Sequence, residues 1–141
     1  MKKKILILGG GISKERQISL ETAKQVKNIL KKKYKVLLSD LDRNLEKKIK
    51  SFKPSIVFNA LHGRFGEDGY AQSILESYKV KYTHSGVLSS ALAMDKVASK
   101  KIFKENKILT PRFIKFNYQQ NMHRGLKNII KKKLKFPVVI K

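Results

Sequence analysis

The chain has 141 residues and, folded as one domain, would bury about two-thirds of its unfolded surface. It has no cysteine, which excludes a disulfide framework and a thiolate metal site. Its 33 basic residues against 10 acidic ones give a net charge of +23, but 28 of the 33 are lysines spread along the whole chain. No RRM, zinc-finger or KH signature accompanies them, so the charge reads as a solvated lysine-rich surface with weak, salt-sensitive affinity for polyanions and no specific nucleic-acid face. The basic start Met1-Lys2-Lys3-Lys4 is followed by only Ile5 to Leu8 before three glycines, too short an apolar run for a signal peptide. No window approaches membrane-spanning length. The composition therefore predicts a soluble cytoplasmic protein.

In chain order, Lys4 to Leu8 is the first predicted strand. Gly9-Gly10-Gly11 follows, but a dinucleotide fingerprint needs a small residue where Lys14 stands, so no such site is expected. Leu20, Ala23, Val26 and Leu30 recur at helical spacing, with Ser13 or Ser19 as the cap and Ser19 the better placed. Lys35 to Asp40 is the second strand, Leu45 to Phe52 a short amphipathic helix, and Ile56 to Phe58 the third strand. Val80 to Tyr82 is a short fourth strand, and Val87 to Glu105 the longest helical pattern. Strands alternating with helices predict a parallel sheet of at least four strands, covered by helices on both faces. Beyond Thr110-Pro111 the style changes. Arg112 to Phe116 reads as a strand, Asn117 to Asn121 as a polar loop, Gly125 to Lys133 as a basic helix, and Phe136 to Lys141 as a strand. This second unit reads as incomplete.

The stretch from Ser55 to Gln72, SIVFNALHGRFGEDGYAQ, is the organising one. A buried-type strand runs into His62, then Gly63, Gly66 and Gly69 with Arg64, Glu67 and Asp68 between them, then a helix from Tyr70. Glycines at this density let a backbone approach a ligand closely. A strand, a polar glycine loop and a helix in succession is how open α/β sheets hold ligands. Taken alone, an HG or a GEDG is a surface turn with a solvated acid pair; together at the end of a buried strand they read as functional. Glu67, five residues after His62, is suited to orient the imidazole.

Four segments in order, GGGISKERQISLETA, ALHGRFGEDGYAQS, YTHSGVLSSALAMDKVASK and FPVVIK, resemble those of the D-alanine–D-alanine ligases of the ATP-grasp superfamily. The resemblance extends over the whole chain but only about the first half of a typical member. It implies a Rossmann-like N-terminal substrate domain over residues 1–95, followed over 96–141 by the truncated start of an ATP-grasp central domain.

The activity implied is ATP-dependent joining of two D-alanines through an acyl phosphate, for peptidoglycan precursors. By resemblance Glu15 is the catalytic and substrate-binding acid that holds the first D-alanine's ammonium. His62 lies near that substrate's carboxylate, and Lys96 and Lys141 reach the ATP phosphates. The Mg²⁺ ligands, the glycine-rich phosphate loop and the arginine at the tetrahedral intermediate are expected beyond Lys141, so this chain is expected to be inactive by itself. A homodimer is expected of the full-length enzyme. Phe65 departs from the family, where a small residue is common. A non-catalytic small-molecule or polyanion-binding α/β module is the alternative reading.

Overall fold

The computed structural model describes residues 2–116 and 125–140. Three strands, β1 (Lys4–Leu8), β2 (Lys35–Ser39) and β3 (Ile56–Asn59), pair in parallel in the order β2-β1-β3. Six helices accompany them among the described residues: α1 (Arg16–Leu30), α2 (Leu45–Phe52), α3 (Tyr70–Ser77), α4 (Val87–Met94), α5 (Lys96–Glu105) and α6 (Leu126–Lys133). The chain divides into two compact units, Met1–Lys96 and Val97–Lys141.

The sheet of the first unit is sandwiched because its central strand is apolar on both sides. Leu6 and Leu8 point into a cluster with Leu45 and Ile49 of α2 and Ala71 and Leu75 of α3. Ile5 and Ile7, out of phase with them, pack with Ala23, Val26 and Leu30 of α1. The period of two in β1 thus sends alternate side chains to opposite helical layers. Leu6, Ile7 and Leu8 are wholly excluded from solvent. Each such side chain contributes about 1.5–3 kcal/mol relative to exposure.

The expected fourth strand is reduced to a single bridge. Tyr82 pairs in parallel with Val57, with Val57 N–H donating to Lys81 O (2.8 Å) and Thr83 N–H to Val57 O (3.0 Å). The segment is cut short by the turn through Thr83-His84-Ser85 that leads to α4. The long helix expected over Val87 to Glu105 is two helices. Asp95 between them has extended backbone (φ −75°, ψ 102°), as a residue that ends one helix and leads into another does. Arg112 to Phe116 and Phe136 to Ile140 form no strand, because no described residue supplies the ladder partner a strand requires. Asn117 to Asn121 and Lys141 lie outside the described residues.

Helix α1 starts three residues before the expected cap, with Glu15 at the N-cap position. Ser19 is instead inside the first turns and fully buried. Its hydroxyl accepts from Gly10 N–H and donates to Ala60 O, both at 2.8 Å. One side chain therefore ties the loop after β1 to the chain leaving β3. Ser19→Ala leaves a buried N–H and a buried carbonyl without partners, and is expected to cost about 1–3 kcal/mol. Urea unfolding of the variant measures this; a midpoint equal to that of the parent contradicts it.

Candidate functional site

All three strands deliver their carboxyl ends to one rim. From β1 the chain crosses through α1, on one face, to β2; from β2 it passes β1 through α2, on the other face, to β3. The strand order reverses between β1 and β3, the position at which open α/β sheets hold ligands. Leu8 and Asn59 are partners in register, and Ala60 N–H donates to Leu8 O at 2.8 Å. Residues 9–15 and 60–69 consequently leave the sheet side by side.

The first loop is held by a charged pair. Asp40, just past β2, accepts from Gly11 N–H (2.7 Å) and Leu41 N–H (2.7 Å). Arg16 Nη1 lies 2.6 Å from the Asp40 carboxylate and donates to Gly11 O at 2.7 Å. Ser13 Oγ accepts from Glu15 N–H at 3.1 Å, completing the turn that sets Glu15 at the head of α1.

The second loop is built around one carbonyl. Gly66 O accepts from Asn59 Nδ2 (2.8 Å) and from Gln72 Nε2 (2.9 Å), both side chains buried. Asn59 Oδ1 accepts from Leu61 N–H at 3.0 Å, so this side chain closes the loop from both ends. Gly66 is required there: a Cβ would sit 2.3 Å from Leu61 Cβ. Asp68 accepts from Phe65 N–H (2.9 Å) and Tyr70 N–H (3.2 Å). Phe65 has φ 68°, a left-handed conformation that suits glycine. That explains why a small residue is at home at this position. The phenyl ring rests 4.7 Å from that of Tyr70, with Arg64 5.0 Å above it.

The two loops meet at Gly63. The Glu15 carboxylate lies 3.0 Å from where a Gly63 Cβ would stand, and Gly63 N–H donates to Glu67 Oε2 at 2.7 Å. With φ 70° a side chain at Gly63 would be strained, and its Cβ would crowd Glu15 and Ser13. Glu15 and Glu67 thus flank the residue next to His62. His62 Nε2 is buried and has no hydrogen-bond partner among the described residues. The Glu67 carboxylate serves the Gly63 amide and not the imidazole, so its role as orienter of His62 is not seen. A backbone N–H four residues back closes the turn more directly than the ring does.

Lys96 enters from a different element, the first residue of α5, with Nζ donating to Ala93 O at 2.9 Å. Lys141 lies outside the described residues. Among the described residues no group of three or more His, Asp or Glu side chains is arranged for a metal ion, and no helix is long and apolar enough to cross a membrane. Sequence reading missed the supports: Ser19, Asp40, Arg16, Asn59 and Gln72. Ser19, Asp40 and Arg16 have partners on other segments, and Asn59 and Gln72 converge on Gly66 O only once the loop between them has folded.

No family model matches the chain. A D-alanine–D-alanine ligase from Pelagibacter ubique is 64% identical over 142 residues, an alignment spanning 100% of this chain and 46% of that protein. A second, from Carboxydothermus hydrogenoformans, is 43% identical over 98% of this chain and 45% of its own length. The crystal structure of the Bacillus anthracis D-alanine–D-alanine ligase complexed with ATP superposes with a TM-score of 0.77 at 33% identity, covering 92% of this chain and 43% of that one. The fold is thus an α/β unit of the kind that opens such a ligase. The chain is a homologue of the D-alanine–D-alanine ligases over their N-terminal portion, and spans about 46% of the relatives' length.

Burial by itself raises the Asp40 carboxyl. The Gly11 N–H, the Arg16 hydrogen bond, the Leu41 N–H and the Arg16 charge together outweigh it and hold the group below its ordinary value. A depressed carboxylate contributes stability that is complete above the unfolded value, about 4, and is lost as pH falls through the folded one. Asp40→Asn is expected to destabilise the protein at pH 7 and to narrow the gap to the parent as pH falls below about 4. Denaturation midpoints from pH 7 to pH 2 measure it; a gap constant over that range contradicts the pairing.

Proposed function

We propose that this chain supplies the first-substrate half of an ATP-dependent D-alanine–D-alanine ligase. Two observations carry the proposal: the exposed Glu15 carboxylate closes on Gly63, and the preceding residue, His62, has a buried Nε2 with no partner among the described residues. A zwitterionic amino acid needs one anionic and one hydrogen-bonding or cationic contact, and these are such a pair. In this reading Glu15 takes the ammonium of the first D-alanine and His62 faces its carboxylate. Glu67 keeps the Gly63 amide turned and so fixes the loop between them.

The proposed chemistry moves the γ-phosphoryl group of ATP onto the carboxylate of that D-alanine, releasing ADP. The amine of a second D-alanine then attacks the acyl phosphate carbonyl and expels phosphate. Charge spreads over the transferring phosphoryl oxygens, so the step is governed by cations and positioning. Lys96, an exposed cation at the head of α5, fits a phosphate contact, and Lys141 is assigned the same task. Mg²⁺ would neutralise phosphate charge in the complete enzyme; its ligands are assigned to the part the relatives carry and this chain does not. Residues 1–95 are read as the substrate domain, and residues 96–141 as the start of the nucleotide-binding one.

The test is a chimera in which this chain is joined to the remainder of the Pelagibacter ubique ligase. Glu15→Gln is expected to raise the KM for the first D-alanine roughly 10- to 100-fold, the loss of a charge-assisted hydrogen bond. An unchanged KM and kcat would remove Glu15 from the site. The 141-residue chain alone, given ATP, Mg²⁺ and D-alanine, is expected to release no phosphate above background. Turnover like that of an intact ligase contradicts the assignment of phosphate and metal contacts elsewhere.

A further inference from the structure

The lysines that look scattered in sequence are gathered by the fold. A parallel sheet begins all its strands at one edge, and the helices that return the chain end there too. That amino edge of the first unit comprises residues 2–4, 31–35, 50–55 and 78–81, which contain eleven lysines and no acid. All but Lys4 are exposed. Lys4 and Lys35 are partners across β1 and β2, Lys35 N–H donates to Lys3 O (3.0 Å), and Lys81 O accepts from Val57 N–H (2.8 Å). The lysines therefore form a rank across the first rungs of the sheet. The opposite rim holds the acids of its loops, Glu15, Asp40, Asp42, Glu67 and Asp68, half of the chain's ten.

Cations at helix ends are favoured by the helix dipole, and Lys50 and Lys53 at the end of α2 gain from it. The dipole does not account for Lys2, Lys3, Lys4, Lys35 and Lys81, which are on strand starts. Placing like charges in neighbouring rungs costs stability, and no acid in these segments relieves it. The same edge holds a depression of about 540 Å³, with Lys50, Lys53 and Lys79 around Ile49, Pro54 and Tyr78. Lys50 Nζ lies 5.4 Å over the Tyr78 ring. One acid, Glu46, reaches this region through the hydrogen bond from Tyr78. The depression is at the opposite end of the strands from Gly63, so the candidate substrate site does not use it.

From this juxtaposition we infer that the amino edge of the first unit is a docking surface for single-stranded nucleic acid, bound through its phosphates without regard to sequence. A rank of ammonium groups matches a flexible chain of phosphates, and a shallow apolar hollow beside it takes a base against Tyr78. No Arg, Asn or Gln stands among the lysines of these segments, so affinity is mainly electrostatic and steeply salt-dependent. Anionic membrane is the less suitable partner. It wants large apolar side chains to insert, and among the eleven-lysine segments none is exposed.

The experiment measures fluorescence anisotropy of a labelled 20-nucleotide oligothymidylate with the 141-residue chain, from low to physiological salt. Two variants of equal charge are compared. One carries Lys50, Lys53, Lys79 and Lys81→Gln on the edge; the other carries Lys24, Lys47, Lys101 and Lys104→Gln on helix surfaces elsewhere. The edge variant is expected to bind at least about tenfold more weakly, with the slope of log affinity against log salt reduced by about 3, as four released counterions require. The other is expected to stay within about threefold of the parent with its slope intact. If the edge variant does not melt cooperatively, Lys53→Gln and Lys79→Gln are measured singly, each with a slope reduced by about 0.7. Equal losses in both variants mean that total charge alone binds the probe and overturn the inference. Tighter binding to phosphatidylglycerol vesicles than to the oligonucleotide, at equal phosphate, assigns the surface to membrane and overturns it as well.

Discussion

The arrangement depends on the Ser19 hydroxyl. It is shut away from water, takes the Gly10 N–H and gives its proton to Ala60 O, at 2.8 Å each. These two partners stand at the exits of neighbouring parallel strands, where the last ladder bond runs from Ala60 N–H to Leu8 O (2.8 Å). Without the bridge, two glycine-rich loops would leave the sheet with unpaired backbone groups and independent freedom. With it, the loop that carries Glu15 and the loop that carries Gly63 are held in a common frame. Pre-organisation of that kind is what lets a small polar substrate be held by few contacts.

Each loop then closes on itself. The first relies on the Arg16–Asp40 pair around Gly11, the second on Asn59 and Gln72 converging on Gly66 O. These are buried or half-buried hydrogen bonds to backbone, and they fix the chain more firmly than exposed ion pairs do. Rigidity is concentrated under the loops, while Glu15 and Glu67 at the surface are exposed.

Much of the first unit was legible in the sequence. β1 and α2 have the predicted bounds, because unbroken apolar runs and clean helical spacing are local properties. The parallel sheet with helices on both faces followed from alternation. The loops after β1 and β3 were legible from glycine placement, and the structure brings them together at Gly63; the roles of Glu15 and His62 rest on the resemblance. What was not legible is tertiary. Ser19 looked like a helix cap because a serine before an apolar helix commonly is one, and only the proximity of Ala60 redirects it. Glu67 looked like a partner for His62 because sequence distance cannot tell a ring nitrogen from an amide. The strand at Val80 to Tyr82 shrank to one bridge, and those at 112–116 and 136–140 have no ladder, since propensity does not supply a partner. The lysines seemed dispersed because the edge they share exists only after folding.

The central claim is that the loops after β1 and β3 make one amino-acid site, with Glu15 and His62 on its two sides. An NMR titration of the labelled chain with D-alanine tests it most directly, following the His62 ring nitrogens and the amides of Gly63 and Arg16. The account predicts that these signals shift together along one saturable curve and that L-alanine produces smaller shifts. It also predicts that Glu15→Gln weakens the effect without altering the melting temperature. Shifts confined to other parts of the chain, or a His62 ring that ignores D-alanine at saturating concentration, would contradict it.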